Sequence, residues 1–439
     1  MVLLNVLVKP TWLLMEMKAQ DLIGHDDWGM YAALLSFGFL FITLSDLGVN
    51  YYATKTLAGQ PELMKSYFSN LLTFKIFITL LYPFAMVGAG WMLGYTEREL
   101  YYLMLLCLVH GGSQLVHFFR ANFQAMQRFK IDGIFSVLSR ILLIALVGIL
   151  FLTKLDVDRF VYARLAAVSV TIIVSYLVLI RLYGWMRPRM DMKLIGSIAK
   201  QSIPFALMTV LYSLHDKVDQ VMLERMLEDG KVQNGLYVAG YRWLDAFSMY
   251  LWTVLPIFFA RFAFFIKDQQ EQEKLLHFGQ KVAALPMILV SVFIWFHGDL
   301  LLFPYANSTP EQLEVISHCL KALFVAGFFN GIFAIFSTIL TSTGYEKVIS
   351  WMVSVAIVLN VVLNWIFIPT YGAIATAWTT VASYVLMDVA YIWYLHFYRD
   401  IQVPFRQIGQ LFLVGGLAAA LFWGCEEVGL VWYISTPIV

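Results

Sequence analysis

Residues 26–48 read DDWGMYAALLSFGFLFITLSDLG. From Trp28 to Ser45 the stretch carries no charge, and Asp27 and Asp46 stand at its two ends. A helix rises about 1.5 Å per residue and the hydrocarbon core of a bilayer is about 30 Å thick, so roughly 20 apolar residues cross it. The stretch predicts a membrane-spanning helix over residues 28–50. Comparable runs recur at 2–20, 69–93, 100–122, 133–153, 159–183, 202–224, 234–260, 278–298, 311–342, 347–368, 371–397 and 408–424. Together they predict an all-α polytopic membrane protein of thirteen spans. The composition agrees, being 60% hydrophobic and only 13% charged, where a soluble domain carries about 25% charged residues. The N-terminal stretch lacks a cationic leader and a small-residue cleavage site, so it reads as a first span rather than a signal peptide. The tail 428–439 is too short to cross and reads as part of a fourteenth helix.

Orientation follows from the cationic residues of the loops. With the N-terminus in the cytoplasm, the even-numbered connections hold Lys55, Lys65, Arg128, Lys130, Arg187, Arg189, Lys193, Lys200, Lys267, Lys274, Lys347, Arg399 and Arg406. The odd-numbered connections hold only Arg98, Lys154, Arg159, Arg225 and Lys231. Cytoplasmic loops carry the excess of Lys and Arg, so this bias places the N-terminus and the even loops inside.

The opening stretch has an echo. GMY at Gly29–Tyr31 returns as GLY at Gly235–Tyr237, and QRFKI after the fourth span returns as GYEKVI after the tenth. The offset is six helices, an even number, so the copies share an orientation and form a parallel repeat. The expected architecture is two six-helix bundles, 1–190 and 191–398, around a central cavity, with one or two extra C-terminal helices in 399–439. A cavity near the midplane between two such halves is where transporters bind their cargo.

Ionisable groups within spans are costly and tend to face protein or water. Residues 212–226 read YSLHDKVDQVMLERM, an unusually charged piece of the seventh span. Tyr212, Asp216 and Asp219 lie at i, i+4 and i+7 and share one helical face. Two carboxylates there, with Glu16 in the first span and Asp245 in the eighth, are candidates for coupling to a cation or proton. The alternative for Asp216 is a structural ion pair with Lys217. In the eighth span Tyr237, Tyr241, Asp245, Ser248 and Trp252 form a stripe beside Arg242. Rings flanked by polar groups suit sugars, which offer apolar faces and hydroxyl edges; plain aromatic packing is the alternative. Lys75, Arg120 and Arg140 each sit about 10 Å or less from the inner ends of the third, fourth and fifth spans. Three cations at one level make an anion-collecting mouth suited to phosphate, or else they snorkel to the headgroups. Lys9 beside Glu16, Asp46 and Asp388 are further charged candidates. Pro83, Pro204, Pro256 and Pro286 favour kinks within their spans.

Several function classes are disfavoured. No GxxxxGK[ST], HExxH or GxSxG is present, the eight histidines show no ligand spacing, and Cys107, Cys319 and Cys425 are isolated. No cofactor or metal site is expected, and the chain does not read as an enzyme. A net charge of +1 gives no electrostatic case for nucleic acid.

The loop and second span, with Ile23-Gly24, Trp28-Gly29 and Asp46-Leu47-Gly48, resemble the N-terminal signature of Wzx-type polysaccharide flippases. DKVDQVMLERMLEDGKVQNGLYVAGYR, with Gly235, Tyr237 and Arg242, is similar to the family's seventh and eighth helices, and TGYEKVI to its segment after the tenth. The Ala239-Gly240 pair ahead of Tyr241 departs slightly from that pattern. The resemblance implies the fold of the multidrug/oligosaccharidyl-lipid/polysaccharide exporter superfamily. It implies alternating-access movement of an undecaprenyl-pyrophosphate-linked oligosaccharide to the periplasmic leaflet of a bacterial inner membrane. Such export serves surface polysaccharides such as O-antigen or capsule. The implied partners are the lipid-linked oligosaccharide, membrane lipids, and a polysaccharide polymerase with its export machinery. In that setting Lys75, Arg120 and Arg140 would meet the pyrophosphate. A MATE-like cation-coupled drug exporter, a flippase for the peptidoglycan precursor and an intramembrane glycan polymerase or ligase are the rival readings. The drug exporter would want an acidic cavity, and the polymerase a large outer loop.

Overall fold

A computed structural model describes residues 2–46, 64–125, 128–184, 189, 191–399 and 401–427. Leu47 and Gly48 of the signature loop, Lys55, Arg187 and the tail 428–439 lie outside the described residues. Within them every regular element is a helix. In chain order these are α1 (Val2–Ile23), α2 (His25–Leu40), a 3-10 turn (Ile42–Ser45), α3 (Met64–Met92), α4 (Glu97–Ala125), α5 (Phe129–Leu152) and α6 (Val157–Tyr183). There follow α7 (Met192–Met226), α8 (Gly230–Phe264), α9 (Gln269–His297), a second 3-10 turn (Gly298–Leu302), α10 (Pro310–Ser342), α11 (Glu346–Tyr398) and α12 (Phe405–Glu427). Nine of the described helices, α3 to α6 and α8 to α12, are long and apolar enough to cross a membrane. The chain is an all-α, multi-pass membrane protein.

Helices are the natural outcome because a bilayer offers no partner for a backbone N–H or C=O, and only a helix satisfies them all within one span. Polar residues at the ends set the boundaries. Asp156 caps α6 by accepting from Arg159 N at 2.9 Å, and Asp268 caps α9 from Glu271 N at 3.1 Å. Thr309 and Gln312 form a reciprocal capping box on α10, with Pro310 as its first residue. The helices run well past the apolar windows, since α3 begins at Met64 and α5 at Phe129. Lys75 and Arg140 thus stand about 17 Å from their helix starts, deeper than the hydropathy windows alone suggest. Pro83, Pro256 and Pro286 lie inside continuous helices rather than at breaks. The break falls at Gly372 in α11, with φ 55 and ψ −132, just inside the span expected at 371–397.

The chain divides into two compact units, Met1–Val221 and Met222–Val439, with the boundary inside α7. In the first unit Phe68, Leu71, Phe118, Phe119, Phe123 and Leu179 form a core joining α3, α4 and α6. Gly38 lets α2 approach α4, since a Cβ there would sit 3.2 Å from Cys107 Sγ. In the second unit Leu251, Ala283, Met287 and Ala334 join α8, α9 and α10. Gly331 is decisive in that packing, because a Cβ on it would come within 2.4 Å of Met287 Cβ. Small residues at such crossings are how helices pack closely in lipid.

Candidate functional site

The first unit gathers its charges on α1, α3, α4, α5 and α6. Lys75 is completely buried and donates to Asp46, the residue just after the first 3-10 turn. Arg120 Nε donates to Asp132 Oδ1 at 2.7 Å, and Gln124 Nε2 holds the other oxygen of that carboxylate at 2.9 Å. Arg140, half-buried on α5, makes no hydrogen bond or ion pair with the described residues, although Glu16, Arg120 and Arg164 stand within Coulombic reach. Lys9, on α1, is likewise unpaired and within reach of Arg140. His117, exposed one turn before Arg120 on α4, lies within the fields of Lys75, Arg120 and Arg140 together.

The three cations expected to act together therefore do share one neighbourhood. Their chemistry differs from the expectation. Lys75 and Arg120 each have a carboxylate of their own, so neither is a bare cation, and Lys75 does not snorkel. Among the described residues of this neighbourhood, Arg140 and Lys9 are the cations without an ion pair. Glu16 lies 3.7 Å from Arg164, whose NH1 also donates to the Tyr31 hydroxyl and whose guanidinium lies 5.8 Å from that ring's centre. Lys9 is thus not the ion-pair partner of Glu16. Sequence reasoning missed Arg164; an arginine seven residues into the sixth helix, away from both of its ends, is the signal that could have found it.

On α7 the expected acidic face is divided. Asp219 is 2% exposed, whereas the Asp216 side chain is 40% exposed and lies 3.2 Å from Lys217 Nζ. The structural ion pair is thus realised at Asp216. Tyr212 is exposed, while Ser213, His215, Asp219, Gln220 and Leu223 are buried. Gln220 Oε1 accepts from Ser36 Oγ of α2 at 2.7 Å.

On α8 the aromatic stripe splits in the same manner. Tyr237 is fully buried and Tyr241 nearly so, with ring centres 5.7 Å apart, so Tyr237 offers no open face to a sugar. Asp245 and Arg242 are half-buried, and Trp252 is 62% exposed. The Tyr237 hydroxyl instead lies 3.4 Å from Thr380 Oγ1, at the edge of a polar seam in the second unit. There Thr379 Oγ1 donates to Asn364 Oδ1 at 2.5 Å and Asn364 Nδ2 donates to Asn360 Oδ1 at 3.0 Å. Asn360, Asn364, Thr376, Thr379, Thr380 and Ser383 are all buried, and all lie on the two sides of the Gly372 break. Gln233 of α8 closes the seam by accepting from Ala373 N at 3.2 Å, a donor at the break. Neutral hydroxyl and amide side chains carry no hydropathy signature strong enough to reveal such a seam. Asp388, the further carboxylate of α11, is buried with Oδ2 unbonded among the described residues.

Comparisons with known proteins add a family. A family model described as polysaccharide biosynthesis protein matches residues 17–259, and one described as MatE matches residues 266–366. An uncharacterised membrane protein of Methanocaldococcus jannaschii is 21% identical over 390 residues, which is 82% of this chain and 88% of the relative. Among solved structures, an inward-facing MATE-family multidrug resistance transporter has a TM-score of 0.71 at 14% identity, covering 87% of this chain and 93% of that one. The lipid II flippase MurJ, in an inward closed conformation, also has a TM-score of 0.71 at 14% identity, covering 98% and 100%. A transporter from Pyrococcus furiosus, described as having a binding pocket of reverse polarity, has a TM-score of 0.52 at 13% identity, covering 96% and 93%.

Proposed function

The chain belongs to the polysaccharide biosynthesis protein family, and from that premise we propose that this membrane transporter moves a lipid-linked oligosaccharide between leaflets. The proposed carrier is a polyprenyl pyrophosphate, the membrane a bacterial inner membrane, and the N-terminus cytoplasmic. The observation that carries the reading is Arg140, with Lys9 beside it, half-buried among helices and without a carboxylate of its own. A partly desolvated cation with no carboxylate bonded to it is stabilised when an anion visits it, and a guanidinium fork fits phosphate oxygens in a bidentate manner. Lys75 and Arg120, neutralised by Asp46 and Asp132, hold the surrounding shape. Asp219, buried on α7, is the proposed coupling carboxylate ahead of Asp216.

The test is reconstitution into liposomes with a fluorescent lipid-pyrophosphate oligosaccharide. Protein-dependent leaflet exchange is expected, and Arg140→Ala should slow it about tenfold, the loss of about 1.4 kcal/mol of binding, with unchanged thermal stability. Efflux of a cationic dye without lipid exchange would instead establish the MATE-like reading, which the MatE match over residues 266–366 supports.

A further inference from the structure

At the foot of α9 and α12, within the second unit, lies an open cavity of about 590 Å³. Its α9 wall carries Lys274, His277, Phe278 and Lys281, at i, i+3, i+4 and i+7, hence on one helical face. Gln407 of α12 forms part of the lining and is locked: Nε2 donates to Gln280 Oε1 at 2.7 Å and to His277 O at 2.8 Å, and Oε1 lies 3.2 Å from His277 Nδ1. These bonds fix the two helices at one level. Lys281 is exposed and has no hydrogen bond or ion pair with the described residues. Among the described residues Lys274 pairs with Glu271, at 2.6 Å, with Asp268 within Coulombic reach, and the side chains of the pair are open to solvent. Such pairs are readily exchanged for another anion. The one carboxylate in the wall, Glu273, accepts from Gln402 N at 3.0 Å and Gln269 Nε2 at 3.2 Å, and stands about 12 Å along the helix from Lys281.

The cavity also sits at a boundary. Beyond Lys281 the chain reads VAALPMILVSVFIWF (282–296), and beyond Gln410 it reads LFLVGGLAAALFWG (411–424), both without a charge. Phe278 is 62% exposed at the cavity, and Leu289, Leu413 and Leu417 continue an exposed apolar surface along the two helices. The unpaired Lys281, with Lys274 held by the solvent-exposed Glu271, opens onto lipid-facing leucines and matches a ligand that has a phosphate and long apolar chains.

The geometry points to a binding site for an anionic glycerophospholipid of the surrounding bilayer, its phosphate at Lys281 and Lys274 and its acyl chains along Phe278 and the leucines. The site is separate from the proposed cargo site, which lies in the first unit. Free phosphate would satisfy the lysines and leave Phe278 unused.

The test uses the full chain in detergent, titrated with dioctanoyl phosphatidylglycerol and followed by native mass spectrometry and thermal unfolding. Saturable binding is expected, at least about tenfold tighter than for dioctanoyl phosphatidylcholine. Each of Lys274→Gln and Lys281→Gln should weaken it by about fivefold, without altering the unfolding temperature of the lipid-free protein. Phe278→Ala should weaken the lipid as well. Equal binding of the choline lipid, wild-type affinity in the double lysine variant, or equal protection by inorganic phosphate would each overturn the assignment.

Discussion

The two units handle buried polarity in different chemical languages. In the first, beside neutral pairs such as Ser36 with Gln220, stand ion pairs inside the helices: Lys75 with Asp46, Arg120 with Asp132, Arg164 with Glu16. In the second, the seam across the Gly372 break is neutral, built from asparagine, threonine, tyrosine and glutamine. The difference matters because a buried ion that loses its partner strands a full charge, whereas a hydroxyl or amide that loses one strands only a dipole. The first unit can therefore hold a charge ready for a charged visitor, at the risk of large penalties when one partner is removed. The second tolerates loss more gently.

The sharpest way to break this comparison is Asp46→Ala, which leaves Lys75 buried and unpaired. It should cost about 3–5 kcal/mol, read as a large fall in thermal unfolding temperature in detergent. Adding Lys75→Met should restore most of that loss; if the double variant is no better than the single one, the ion pair is not what the first unit depends on. Next comes Gly372→Ala. Its positive φ and the Gln233 oxygen 2.7 Å from the would-be Cβ should together cost about 1–3 kcal/mol, measured in the same way. A cost near zero would mean that the break relaxes into a straight helix. Thr379→Val removes one neutral hydrogen bond to Asn364 and should cost about 1 kcal/mol. A loss as large as that of Asp46→Ala would erase the contrast between the units. Smallest of all is Asp216→Asn. The Asp216 side chain is 40% exposed, so stability should change by no more than about 0.5 kcal/mol, and any larger change would show that Asp216 is buried in the working protein.

Much of the fold was legible in the sequence because the bilayer writes it in long apolar runs, and the break at Gly372 falls two residues past the interval expected between the eleventh and twelfth spans. Helix ends were less legible. Hydropathy registers lipid, not hydrogen bonding, and α3 and α5 continue through polar flanks that a window excludes. The grouping of Lys75, Arg120 and Arg140 could be anticipated from their similar depths. That Asp46 and Asp132 neutralise two of them could not, since pairing depends on rotation about each helix axis and on which helices are neighbours. Tyr237 fitted a sugar-binding stripe by its spacing, yet spacing along one helix does not say which face the other helices cover.

The glycine at 331 has a consequence for how this chain can change over generations. At Gly372 a side chain would collide with the flexible end of Gln233, so a change at 372 can be partly answered by a shorter residue at 233. At Gly331 the obstruction is Met287 Cβ, an atom that every amino acid except glycine possesses. Random mutagenesis followed by selection for function should therefore recover second-site suppressors of Gly372→Ala at position 233. For Gly331→Ala, no exchange at 287 short of glycine itself removes that atom, and true reversion should dominate. One crossing is negotiable between two partners, and the other is a historical commitment.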